Sequence, residues 1–250
     1  VNGFPAVRAG KWVSDTPISG PAAQPGEKSD YNPTYFKPDQ PGALIPALSD
    51  GFNGNKLNMK QWTWVNNGTT ALYNVSKGSF NFYTQNADLY VDNNSASVLT
   101  EPTPSGDYLV ETKVTLNLPA EGCCYNYVQA GMVIYGDNDN FIKLAHVSIY
   151  ETRQTEFAKE LFPVPDGYPR YGNTVVGPPN LTTWLRIIKT SQGTGELYTP
   201  YTSRDGVHWV RGGSWTHNLG ANAKIGLISM GGSGFVANFD YVHVYQLAQQ

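Results

Sequence analysis

From Ser49 onward the chain is written in short runs in which apolar and polar residues alternate, separated by Gly, Asn, Asp and Pro. Alternation with period two puts successive side chains on opposite faces of an extended backbone, so each run predicts a strand with one buried face. Tyr108, Val110, Thr112, Val114 and Leu116 share one face of a long strand, and Val128, Ala130, Met132 and Ile134 share one face of another. The same patterning predicts strands over 61–66, 71–76, 79–84, 140–150, 183–190, 195–202, 223–229 and 235–246. Gly136-Asp137-Asn138-Asp139-Asn140 is a turn between two of them, and Gly231-Gly232-Ser233-Gly234 is a turn before the last. No amphipathic helix and no internal repeat stands out, so the pattern predicts an all-β sandwich. Residues 1–47 carry no sustained period and are rich in Pro, which reads as a linker or wrapping arm ahead of a sandwich over 48–250.

Composition narrows the function classes. The chain has 250 residues, ample for a real core, and a net charge of −3 with no Lys/Arg cluster, which argues against nucleic acid as a partner. No apolar run approaches the roughly 20 residues of a membrane-spanning helix, so no membrane partner is expected. The 6 Trp, 16 Tyr and 10 Phe, with only 15% charged residues, suit a surface that meets neutral polar ligands. Sequons at Asn67, Asn74, Asn93 and Asn180 fit an extracellular location. Metal and nucleophile motifs are missing: His146, His208, His217 and His243 lack ligand spacing, and no Gly-x-Ser-x-Gly elbow occurs.

Sugar sites mix aromatic rings, which stack on the apolar faces of sugars, with side chains that take hydroxyls. The best such mixture is Tyr125, Tyr127 and Gln129 on one side of a strand, with His146, Tyr150, Glu151, Arg153 and Gln154 near in sequence. The competing reading is that these tyrosines are ordinary sheet formers on a wet surface. Trp215, after two glycines, is a second stacking candidate at a loop tip, whereas Trp62, Trp64, Trp184 and Trp209 read as core. Cys123 and Cys124 are the only cysteines and are adjacent, so in an oxidising compartment each has only the other as an intramolecular partner. Adjacent Cα atoms are closer than the usual span of a disulfide, so the alternative is a pair of free thiols.

Five stretches in order resemble the concanavalin A-like C-terminal domain of family 43 glycoside hydrolases, the arabinofuranosidases and xylosidases. They are Leu48-Ser49-Asp50-Gly51-Phe52 with Gln61-Trp62-Thr63-Trp64, then Tyr108–Val114, Gln129–Tyr135 and Ser203–Trp209, running on to about residue 246. The resemblance implies a concanavalin A-like jelly roll, an upstream catalytic propeller that carries the catalytic carboxylates, and a non-catalytic module facing plant cell-wall polysaccharide outside the cell. The last strand, Asn238–Tyr245, resembles that of calcium-binding sandwich glycosidases, which implies Ca²⁺ on Asp240, joined by backbone carbonyls and Asp50. Two other functions stay open. One is an autonomous sandwich hydrolase or lyase whose acid and nucleophile come from different strands, and the other is a scaffold without sugar affinity.

Overall fold

The computed structural model describes residues 39–66, 71–125 and 127–248. The strands in chain order are β1 (Pro41–Leu44), β2 (Thr63–Val65), β3 (Tyr73–Ser76), β4 (Ser79–Tyr83), β5 (Leu89–Tyr90) and β6 (Asn93–Asn94). Then come β7 (Val98–Pro102), β8 (Tyr108–Leu116), β9 (Gln129–Asp137), β10 (Asn140–Ile149), β11 (Thr152–Glu160) and β12 (Tyr171–Val175). The last six are β13 (Thr182–Gln192), β14 (Gly195–Ser203), β15 (Trp209–Arg211), β16 (Trp215–Thr216), β17 (Lys224–Met230) and β18 (Val236–Leu247).

Antiparallel pairing sorts them into a sandwich, as the alternation predicts. The back sheet runs β15-β14-β13-β8-β18-β4-β3, with β1 on β18 and β16 on β14. The front sheet runs β12-β11-β10-β9-β17-β7-β2, and β5-β6 form a separate ribbon. Between the sheets lie Val110, Val114 and Leu116 of β8 against Ala130, Met132 and Ile134 of β9, the faces that sequence alternation selects. Phe52, Phe80, Phe82 and Phe239 extend this core as a chain of ring contacts with centroids 5.4–6.2 Å apart. Each fully buried ring of this kind contributes about 1.5–3 kcal/mol by leaving water. Trp62 is buried and donates its indole N–H to Asp50 at 2.9 Å, closing the entry of the chain against the last strand.

Three features differ from the sequence reading. Pro41–Leu44, inside the stretch read as arm, pairs with β18. Strands β7, β11 and β12, which do not alternate strongly enough, and the short β5, β6, β15 and β16 fall outside the stretches that the sequence pattern selects. In β11 polar Thr155 and Lys159 flank Phe157 on one face, and Ala158 sits among Gln154, Glu156 and Glu160 on the other. Trp184 and Trp209 are not core: each lies half-buried on the outer face of the back sheet, under Lys113 and Arg186 respectively.

Candidate functional site

The outward face of the front sheet carries the site. Parity along β9 sends Ala130, Met132 and Ile134 inward and Gln129, Gly131, Val133 and Tyr135 outward. On β10 the outward set is Phe141, Lys143, Ala145 and Val147, and register pairs Lys143 with Val133 on one side and Ala158 on the other. Glu156 pairs with Ala145, and Asn173 with Ala158, so these polar groups collect at the centre of one face. One end of that face is covered by the excursion between β4 and β7, which buries Leu89, Ala96 and Val98 against Val133, Tyr135 and Phe141. Arg170 pins this cover: its guanidinium meets Glu160 at 2.9 Å, Asp139 at 2.7 Å and Asp92 at 3.0 Å, and donates to the Val91 carbonyl at 2.7 Å. The uncovered remainder is a cleft of about 310 Å³ lined by Asp88, Tyr90, Tyr127, Gln129, Lys143, Glu156, Tyr171 and Asn173.

Glu156 is the hub of the floor. Its Oε1 accepts from Asn173 at 2.7 Å and from the Tyr171 hydroxyl at 3.0 Å, and its Oε2 faces Lys143 Nζ at 3.5 Å. Both charged side chains of the pair are buried, and burying an ion pair rarely adds net stability, so its presence calls for another reason. Gln129 supplies one. It is 2% exposed, its Nε2 donates to the Tyr127 carbonyl at 3.0 Å, and its Oε1 has no partner among the described residues. A buried acceptor left unmet costs about 1–3 kcal/mol, a cost that a hydroxyl reaching it from the cleft would recover. Lys143 meanwhile has three N–H donors, more than Glu156 alone uses. An acceptor and a donor on one floor match hydroxyl groups, which both give and take hydrogen bonds. Tyr90 and Tyr171, edge to face with centroids 4.8 Å apart, form the aromatic wall at one end, and Tyr127 stands at the other. Burial pushes the Asp88 carboxyl up, against the lowering pull of Lys143, and burial followed by the Glu156 charge holds the Tyr171 phenol well above its ordinary value.

A family model described as the beta xylosidase C-terminal concanavalin A-like domain matches residues 49–244. The chain belongs to this family. Among solved structures, this C-terminal domain is similar to a variant of the GH43 protein BlXynB from Bacillus licheniformis, with 17% identity over 81% of the chain and a TM-score of 0.63. It is also similar to the Bacteroides ovatus xyloglucan PUL protein GH43B (17% identity, 86% of the chain, TM-score 0.60) and to a xylan beta-1,4-xylosidase from Bacillus halodurans (16%, 80%, 0.59). The domain spans 40%, 41% and 39% of those three chains, respectively. No curated protein sequence matches it.

The structure brings together only part of the predicted site. Tyr127 and Gln129 line the cleft, and Gln154 lies on the same strand as Glu156 with its amide turned to Thr152 at 2.7 Å. Tyr125, Tyr150 and Glu151 are exposed on turns beyond the Tyr127 end. His146 is a correction: it has the parity of Ile142 and Leu144, is fully buried with neither ring nitrogen hydrogen-bonded among the described residues, and burial drives its pKa down to about 3. Arg153 also turns away, its Nε donating to the Leu118 carbonyl at 2.9 Å. Trp215 is no loop tip: it is half-buried on β16, packed against the main core. Cys123 and Cys124 are joined by a disulfide, and Cys124 packs against the core. Asp88, Tyr90, Lys143, Glu156, Tyr171 and Asn173 were missed. Only Lys143 left a mark in the sequence, as a charge inside the apolar run from Phe141 to Ile149.

The residues expected to hold calcium do not fit the ion. Asp50 accepts from the Phe52 N–H at 2.8 Å through one oxygen and from Trp62 through the other, while Asp240 is ion-paired with Lys113. Ca²⁺ needs six to eight converging oxygens, and these two carboxylates are already committed to different protein donors. Among the described residues no three His, Cys, Asp or Glu side chains group to hold a metal.

Proposed function

We propose that this domain is a non-catalytic, carbohydrate-facing module of a secreted family 43 glycoside hydrolase acting on xylan- or arabinan-type plant polysaccharide, and that its sugar sits in the Gln129–Lys143–Glu156 cleft. The observation that carries this reading is the buried acceptor Gln129 Oε1, without a partner among the described residues, in a cleft it shares with the Lys143 ammonium and with Tyr90, Tyr127 and Tyr171. The cleft holds two carboxyl groups and one ammonium, so it favours a neutral ligand over an anionic one. Glu156 is held by Asn173, Tyr171 and Lys143, which suits an orienting carboxylate better than a nucleophile that must attack a sugar carbon. Hydrolysis then belongs to a catalytic propeller elsewhere in the parent protein. Family membership supports that partner, and a disulfide between adjacent cysteines supports an oxidising compartment.

The test is calorimetric titration of the isolated chain with neutral xylo- and arabino-oligosaccharides, alongside an activity assay on the same material. Binding is expected in the millimolar to micromolar range, roughly −4 to −8 kcal/mol, with no turnover. Gln129→Leu removes the unmet acceptor and is expected to weaken binding about tenfold, or about 1.4 kcal/mol. Turnover that disappears in Glu156→Gln would overturn the module reading in favour of an autonomous hydrolase. Absence of any binding would reduce the domain to a scaffold.

A further inference from the structure

Beyond the Tyr127 end of the cleft, the loop before β9 and the turn between β10 and β11 meet. Tyr125 and Tyr150 stand there 63% and 61% exposed, with ring centroids 5.2 Å apart at 70°. Tyr150 also meets Tyr127 at 6.1 Å and 65°, so the three rings form a stepped wall continuous with the cleft. The neighbouring Tyr150 hydroxyl, and after it burial, raises the Tyr127 phenol to about 12.

Exposed aromatic rings on mobile loops need no function, but these are braced. Ser148 donates its hydroxyl to the Cys123 carbonyl at 2.7 Å and its N–H to the Val128 carbonyl at 2.8 Å. The Arg153 N–H reaches the Ala120 carbonyl at 3.0 Å, and Glu121 bridges to Thr152. The backbone is also held where side-chain-bearing residues rarely go: Cys124, Tyr127, Tyr150 and Glu151 have φ of 63°, 60°, 46° and 65°. Such conformations cost about 1–3 kcal/mol each and gather at ligand clamps. Two tyrosines held at fixed angles in water, at the cost of backbone strain, have the properties of a stacking platform.

We infer that Tyr125 and Tyr150 form a second sugar subsite contiguous with the cleft, so that the ligand is a neutral linear oligosaccharide with one ring in the cleft and the next stacked on the platform. This rests on the cleft reading above. The arrangement explains why Tyr127 belongs to both sets: it divides one subsite from the other. The Lys143 charge is matched by Glu156, and Arg153 is turned to Leu118, so among the described residues neither subsite carries an unmatched cation for a uronate.

Xylose, xylobiose and xylotriose, with the corresponding arabino-oligosaccharides, are titrated against the intact chain and against Tyr125→Ala/Tyr150→Ala. The wild type is expected to bind the trisaccharide about tenfold tighter than the monosaccharide. The double alanine variant is expected to lose that gain and keep monosaccharide affinity, while Tyr125→Phe/Tyr150→Phe retains it because the ring faces remain. Circular dichroism and thermal melting establish that each variant is folded. Binding that does not grow with chain length, or growth that survives in the folded alanine variant, overturns the platform and leaves the cleft standing. Failure of the wild type to bind any of these sugars overturns the cleft reading and the platform with it.

Discussion

Glu101 on β7 is 1% exposed, and it gives the most quantitative prediction outside the site. One carboxyl oxygen accepts from Gln61 Nε2 at 2.9 Å, while the other has no partner among the described residues. Burial raises its pKa from 4.5 to about 8, with the Gln61 hydrogen bond opposing and the Asp50 charge adding to the rise. The folded protein therefore retains a proton that the unfolded chain releases near pH 4.5. Stability from this group is complete below pH 4.5 and is lost as pH rises through about 8, at up to about 1.36 kcal/mol per pH unit. A rise of that size sets a ceiling of about 5 kcal/mol on the loss.

Glu101→Gln keeps the shape and the acceptor for Gln61 but cannot ionise. Urea denaturation of both proteins at pH 5, 7 and 9 is the assay. Near pH 5 the two should be within about 1 kcal/mol, since a protonated carboxyl and an amide present similar groups. By pH 9 the variant should be the more stable by several kcal/mol, at unchanged m-value. Parallel pH profiles would refute the reasoning, because they would mean that Glu101 ionises without cost in the folded state.

The remaining predictions concern the acid limb, the cleft cover and the expected ion. His146 has its pKa lowered to about 3, so its contribution is present above pH 6.5 and lost as pH falls through about 3. His146→Leu should flatten that limb in acid-unfolding curves, and an unchanged curve would contradict a buried neutral imidazole. Arg170→Ala strands the fully buried Glu160 carboxylate and should cost about 3 kcal/mol in urea denaturation, with faster amide exchange over residues 89–94. Exchange that stays slow there would mean that the cover is held by something else. Because Asp50 and Asp240 are committed to protein donors, a strong chelator should leave the melting temperature unchanged. A drop that calcium restores would show a site built from other ligands, since an ion bound to the folded state stabilises it by linkage.

Where one strand face is apolar and the other wet, alternation alone located the strand and its inward face: β8 and β9 follow the sequence pattern closely. It failed at β11 because Thr155 and Lys159 flank Phe157 on the inward side and Ala158 sits among Gln154, Glu156 and Glu160 on the outward side, so the strand that builds the cleft lacks the contrast that reveals strands. Gln129 and Tyr127 were accessible from parity. Lys143, Glu156 and Asn173 meet only through the register of three strands, which local sequence does not display. Asp88 and Tyr90 come from an irregular excursion with no period at all. His146 is near Tyr150, Glu151 and Arg153 in sequence but has the opposite parity to Lys143 and Ala145 on its own strand. Counting in twos from Ile142 and Leu144 puts it inside.

The central claim is that the outward face of the front sheet holds a neutral sugar, and a crystal structure of the domain soaked with xylotriose tests it most directly. The account predicts a sugar ring in the cleft, with a hydroxyl donating to Gln129 Oε1 and another accepting from Lys143 Nζ, and the next ring on Tyr125 and Tyr150. Density for the sugar on the back sheet, or an empty cleft at saturating ligand with Gln129 Oε1 still unpartnered, would contradict it.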